Sequence, residues 1–284
     1  MLTNTMIERV ISAALDEDAP WGDVTSEALI PADATADARL VAREAGVLSG
    51  GDVFAAAFRM TDPSIRVEFA ATDGDEFGTG AELARVTGPA RGVLTAERVA
   101  LNLTQRMCGV TTLTSRYVAE VAGTGARIAD TRKTTPGLRG LERSAVRAGG
   151  GHNHRFSLSD AVMAKDNHLA VIRARTGLTT AEALRRAIAT LPHTMHVEVE
   201  VDRLDQIDEV LAAGVGTIML DNFSLDDLRI GVEQIAGRAT VEASGGVSLE
   251  TVGAIARTGV DVISVGALTH SARAIDLGLD IETV

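Results

Sequence analysis

The rhythm of apolar and polar positions changes near residue 127. Before it, Ile65-Arg66-Val67-Glu68-Phe69 alternates with the period of two that marks a half-buried strand. Residues 39–43, 46–49 and 83–86 read as further short strands, with turns signalled by Pro63, Asp73-Gly74 and Gly88-Pro89. Ahead of them, residues 5–16 set Met6, Val10, Ile11, Ala14 and Leu15 at helical spacing. Thr95 suits the N-cap of a long helix carrying Val99, Leu103 and Met107 near one face. Gly109 and the threonines after it suit a kink or break in that helix. This region is expected to form a small α+β domain.

Beyond it, β-rich apolar runs recur at residues 126–129, 161–164, 197–199, 217–220, 240–243 and 262–265. Helix-like segments at 180–190, 204–213, 224–235 and 248–257 separate most of them. Strand then helix, repeated, predicts a parallel sheet covered on both faces. A closed α/β barrel is the economical form because closure leaves no edge strand. A doubly wound open sheet is the alternative.

Composition narrows the function. The chain has 284 residues, enough for a barrel plus a smaller domain, and no apolar run near the roughly 20 residues of a membrane span. A net charge of -12 argues against nonspecific nucleic-acid binding, and 3% aromatics leave little for base stacking. The first residues, MLTNTMIERVISAALDEDAP, carry acids where a signal peptide has a basic start and an apolar core. The single Cys108 cannot form an internal disulfide, so a cytoplasmic location is expected. Cys108 reads as a buried helix residue with no nucleophile arrangement around it.

In a parallel barrel, residues at the carboxyl ends of the strands converge on one face. Here those ends lead into Asp130-Thr131-Arg132-Lys133, Lys165-Asp166-Asn167-His168, Glu200, Asp221-Asn222, Ser244-Gly245-Gly246 and Gly266-Ala267. Glycines before helix starts on the last two strands favour a phosphate site. Glu200 and Asp221 suit a Mg²⁺ or ribose hydroxyls, or pair with nearby lysines. Glu198 shares the side of its strand with Glu200 and reads as a barrel-interior partner. Arg132, Lys133, Arg139, Arg143, Arg147, His154, Arg155 and Lys165 form a cationic set in an acidic chain, which points to a small polyanionic ligand. His152 and His154, two apart with no cysteine near, do not read as a zinc site.

Several of these stretches together resemble one family. They are TAERVALN (95–102), DTRKTTPGLR (130–139), GGGHNHR (149–155), KDNH (165–168), EVEV (198–201), MLDNFS (219–224), EASGG (242–246) and ISVGALTHS (263–271). With LDEDAPWGDVTS near the start, the chain is similar to the quinolinate phosphoribosyltransferases from about residue 15 to about 280. Three places depart from the family pattern: Arg143-Ser144 replaces a lysine and an aromatic, Ala164 a branched aliphatic, and Ser157 a Gly, Asp or Asn.

The resemblance implies an N-terminal α/β sandwich over residues 1–108 and an open parallel α/β barrel over 109–272. A tail, 273–284, would pack back on the first domain. It implies a homodimer in which one chain's N-terminal domain covers the partner's barrel mouth. The implied reaction joins quinolinate to 5-phosphoribosyl-1-pyrophosphate with Mg²⁺ as cofactor, releasing pyrophosphate and CO₂ and leaving nicotinate mononucleotide for NAD biosynthesis. Carried onto this sequence, Arg132, His154 and Arg155 would hold the quinolinate carboxylates, completed by Arg98 from the partner. Lys133 and Lys165 would serve the pyrophosphoryl group, and Glu200 and Asp221 the ribose and Mg²⁺, directly or through the substrate. Ser244, Gly245, Gly246 and Gly266 would receive the 5-phosphate, and Thr131, Ala243, Ser264 and Val265 would line the same site. Two other readings stay open: a paralogue acting on a different small acid, and a non-catalytic binding protein on the same scaffold.

Overall fold

The computed structural model describes residues 2–283, and its contacts fall into two units. One holds the chain up to Ser115, Thr134–Gly150 and Leu268 onward; the other holds Arg116–Lys133 and Gly151–Ala267.

The first unit begins with α1 (Asn4–Asp18), which buries Ile7 and Ile11, and α2 (Val24–Leu29), capped by Asp23 through the N–H groups of Thr25 and Ser26. The strands β1 (Thr35–Ala42), β2 (Gly46–Val47), β3 (Arg66–Phe69), β4 (Glu76–Phe77) and β5 (Glu82–Pro89) follow, with α3 (Gly51–Thr61) between β2 and β3. β1 turns Ala36, Ala38, Leu40 and Ala42 inward at a strict period of two. α3 supplies Phe54 and Phe58, both fully buried.

Next comes α4 (Ala90–Glu120), and two expectations change there. The helix starts immediately after β5, so Thr95 has no helix end to cap; its hydroxyl donates instead to the Arg91 carbonyl at 2.9 Å. Nor does Gly109 break the helix. A Cβ at that position would lie 1.9 Å from the Arg273 carbonyl oxygen, so glycine serves close approach of a second backbone. Cys108 is buried, and burial pushes its thiol up to about 12. α5 (Arg139–Ala148) also belongs to this unit.

The second unit carries the strand–helix repeat. Its strands are β6 (Arg127–Ala129), β7 (Val162–Ala164), β8 (Val197–Val201), β9 (Thr217–Asp221), β10 (Thr240–Ser244) and β11 (Val262–Ser264). Its helices are α6 (Asp166–Thr176), α7 (Thr180–Ile188), α8 (Ile207–Leu211), α9 (Leu225–Ile235) and α10 (Leu249–Ala256). α6 escapes a reading of hydrophobic period because it buries none of its residues. The strands pair in the order β6-β11-β10-β9-β8-β7, all in parallel.

β6 and β7 are the two ends of that order and are not paired with each other, so the barrel is open, not closed. The free side of β6 receives residues 151–155 instead. His152 donates its N–H to Ile128 O at 2.7 Å, and Asp130 donates its N–H to His152 O at 3.0 Å. Backbone groups at an edge that closure would have satisfied are thereby paired.

After α11 (Ala267–His270), the last strand β12 (Leu277–Thr283) pairs antiparallel with β1 and completes a sheet of order β12-β1-β5-β3. Gly109→Ala is expected to destabilise the protein by about 2 kcal/mol or more through overpacking. Gly125→Ala, where a Cβ meets nothing within 4 Å, is expected to be near neutral. Thermal melting of the two variants checks this, and equal melting temperatures would contradict it.

Candidate active site

Parallel register and the two-residue period assemble the site. Met163 lies beside Glu198, Glu200 beside Met219, Met219 beside Glu242, and Asp221 beside Ser244. These side chains share the inner face of the sheet, while Val197, Val199 and Val201 alternate to the other face.

One cavity of about 410 Å³ opens on that face. It is lined by Thr131, Arg132, Lys133, His154, Arg155, Met163, Lys165, Glu200, Met219, Asp221, Ser244 and Ser264. Most of the residues singled out from the sequence therefore come together. Ala243 and Val265 do not line it: both are buried, and the Val265 N–H is committed to Ala129 O at 2.9 Å. Arg98 is exposed on α4, and Arg139, Arg143 and Arg147 lie on α5 in the first unit, as does Ser144. Of the other departures from the family pattern, Ala164 is buried on β7, and the Ser157 hydroxyl accepts the Ser159 N–H in a turn.

Gly245 and Gly246 both take left-handed backbone angles, φ 93° and 59°. A Cβ on Gly245 would fall 2.1 Å from Asn222 Oδ1. Asn222 itself has φ 58° and donates its amide to Asp221 Oδ2 at 2.7 Å. The β9 and β10 ends thus lock together only because residue 245 has no side chain. Gly266 directly precedes α11.

The cavity is walled by cations and contains two carboxylates. Lys165, half-exposed, is ion-paired with Glu200, and its N–H donates to His168 Nδ1 at 3.0 Å. Arg155 Nη1 donates to Ala161 O at 2.9 Å. Burial and the neighbouring Arg132 charge both lower the Arg155 pKa. Arg132 Nε is buried without a hydrogen-bond partner.

Beneath the cations lie three buried carboxylates. Asp130, wholly buried, accepts the His154 N–H at 2.7 Å and the Asn153 amide at 2.6 Å. Glu198 and Glu242 approach His154 Nε2 at 3.1 and 3.4 Å. Burial lowers the His154 pKa, but hydrogen bonding and charge from the two glutamates outweigh it and raise the value to about 10. Burial pushes Glu198 up, assisted by the Glu242 charge. His154 Nδ1 accepts the Arg155 N–H at 2.8 Å. The ring proton drawn by the glutamates therefore sits on Nε2, and both ring nitrogens are engaged within the protein.

Among the described residues, His154, Glu198 and Glu242 are the one group of three spaced closely enough to share a metal ion. A protonated Nε2 offers no lone pair, which disfavours that use. Glu200 and Asp221, with oxygen donors at the cavity wall, fit a hard divalent cation better. Glu242, Asp130, Met163 and Met219 carry no role in the sequence reading. An acid two residues before Ser244 on a buried strand was the available signal for Glu242, as Glu198 before Glu200 was for its neighbour.

Comparison with known proteins agrees with this arrangement. The family model described as quinolinate phosphoribosyl transferase, N-terminal domain, matches residues 23–108, and the C-terminal domain model matches residues 110–280. A nicotinate-nucleotide pyrophosphorylase (carboxylating) of Mycobacterium leprae is 44% identical over 95% of this chain and 95% of its own length. A probable nicotinate-nucleotide pyrophosphorylase (carboxylating) of Bacillus subtilis is 37% identical over 99% and 95%. The crystal structure of NadC from Streptococcus pyogenes superposes with a TM-score of 0.94 at 39% identity, covering 100% of this chain and 99% of that one. With both domain models matched in order and relatives aligned over nearly the whole length, the chain belongs to the quinolinate phosphoribosyl transferase family.

Proposed function

We propose that the protein transfers the phosphoribosyl group of 5-phosphoribosyl-1-pyrophosphate to the ring nitrogen of quinolinate. Pyrophosphate and CO₂ leave, and nicotinate mononucleotide is formed for NAD synthesis. The observation that carries this reading is the single cavity in which two guanidiniums, two lysines and two carboxylates meet at the strand ends of a member of this family. A paralogue with another small acid as substrate, or an idle binding protein, has no feature of the cavity in its favour.

Arg132 and Arg155 take the two substrate carboxylates, since planar guanidiniums match carboxylates with paired N–H donors. The unpartnered Arg132 Nε supports this, because a bound carboxylate would satisfy it. His154 lies alongside. Lys133 and Lys165 neutralise charge that develops on the departing pyrophosphate. Glu200 and Asp221 stabilise positive charge at the anomeric carbon as the C–O bond breaks and the N–C bond forms. The ring, now cationic, accepts the electron pair left by the adjacent carboxylate as CO₂ departs, and a proton replaces it. No protein nucleophile takes part; positioning and electrostatics supply the rate.

Mg²⁺ held by Glu200, Asp221 and the substrate's own oxygens would neutralise the pyrophosphate. The 5-phosphate is assigned to the Ser244–Gly246 and Gly266 ends. Arg98 is assigned to a partner's site in a homodimer, and the exposed Trp21, Val24 and Leu29 support self-association of the first unit. A cytoplasmic setting suits a chain with one buried, unpaired cysteine; among the described residues no helix is long and apolar enough to cross a membrane.

Steady-state kinetics tests the assignments. Arg132→Lys keeps the charge but loses the fork, and is expected to lower kcat/KM for quinolinate by about 100-fold or more. Near-normal turnover in that variant would remove Arg132 from the clamp. Chelation by EDTA is expected to abolish turnover and added Mg²⁺ to restore it; activity that survives chelation would remove the metal from the scheme. Gly245→Ala, strained at φ 93° and blocked by Asn222, is expected to raise KM for phosphoribosyl pyrophosphate by about ten-fold or more. An unchanged KM would move the 5-phosphate elsewhere.

A further inference from the structure

We propose that Glu198 and Glu242 are positioning residues that act through the His154 ring to fix Arg155 for its substrate carboxylate. The inference rests on the reading that Arg155 receives that carboxylate.

The geometry forms a relay. Glu198 on β8 and Glu242 on β10 converge on one nitrogen, His154 Nε2, at 3.1 and 3.4 Å. Both carboxylates are more than nine-tenths buried, and each has an oxygen without a hydrogen-bond partner. Their combined field keeps the proton on Nε2. That leaves Nδ1 as an acceptor, and it takes the Arg155 N–H at 2.8 Å. If the proton moved to Nδ1, two N–H groups would face each other and the Arg155 backbone would lose its tether.

Arg155 needs such a tether. It lies in a turn outside regular structure, and Arg132 repels it at close range. Asp130 holds the same turn one residue earlier through the His154 N–H at 2.7 Å. Ala161 O holds the guanidinium end at 2.9 Å. The ring contact fixes the point between them, where the chain leaves His154 for Arg155. The Glu198 charge also acts on Arg155 in the favourable sense.

A purely structural role accounts poorly for this cluster. Burying two carboxylates beside one ring costs desolvation that apolar residues of similar size would avoid. A cation shared by the three side chains would need the Nε2 lone pair, which the Nδ1 contact excludes. What the carboxylates supply, and apolar residues cannot, is a choice of tautomer.

Nitrogen NMR of the full-length protein, with amide hydrogen exchange and kinetics on Glu198→Gln and Glu242→Gln, tests this. In the wild type, His154 should show a pyridine-like Nδ1 and a pyrrole-like Nε2, with a slowly exchanging Arg155 amide. In the variants, the Arg155 amide should exchange faster. KM for quinolinate should rise by about ten-fold, while KM for phosphoribosyl pyrophosphate stays within about two-fold. A protonated Nδ1 in the wild type, an unchanged Arg155 amide in both variants, or equal movement of both KM values would overturn the proposal. Should the glutamine variants not fold, Glu198→Asp keeps the charge at shorter reach and is read in the same way. A wild-type protein that does not turn over quinolinate would sink the proposed function and not this inference, which the ring and amide data then decide without substrate.

Discussion

Negative charge buried beneath positive charge is the constraint on which the site depends. Arg132, Lys133, Arg155 and Lys165 line one cavity, and four like charges at close range repel one another. Asp130, Glu198 and Glu242 lie buried against the His154 and Arg155 turn, and Glu200 pairs with Lys165. Such an arrangement costs desolvation when the chain folds and returns it as preorganisation, because cations already in place need not rearrange when an anionic ligand arrives. The net charge of -12 is therefore compatible with a polyanionic substrate: the acids pair with or lie behind the cations that meet it.

The fold makes this layering cheap to encode. A parallel strand buried on both faces alternates its side chains, so one strand delivers Glu198 to the barrel interior and Glu200 to the cavity wall. β10 does the same with Glu242 and Ser244. Leaving β6 and β7 unpaired gives residues 151–155 a free edge to join, and that junction brings His154 and Arg155 over Asp130. A closed barrel would have no such place.

The sequence made the strands and their ends legible, because short β-rich apolar runs ending in Asp, Lys, Glu or Gly carry their own boundaries. The family motifs made the open barrel legible where periodicity favoured a closed one. Residues whose meaning depends on a distant neighbour were not legible. Gly109 resembled a helix breaker but answers to the Arg273 carbonyl, and Thr95 resembled a cap but lies inside a helix. α6 has no buried face for periodicity to detect. Glu242 passed as part of a motif because nothing local reveals that it meets Glu198 across the barrel at His154.

The most direct test of the account offers the protein two acids in parallel, with Mg²⁺ and phosphoribosyl pyrophosphate present in both. Quinolinate carries two carboxylates and nicotinate one, so a cavity built around two guanidiniums should form nicotinate mononucleotide from quinolinate, with stoichiometric CO₂, and not from nicotinate. Equal turnover of both acids, or turnover of nicotinate alone, would contradict it.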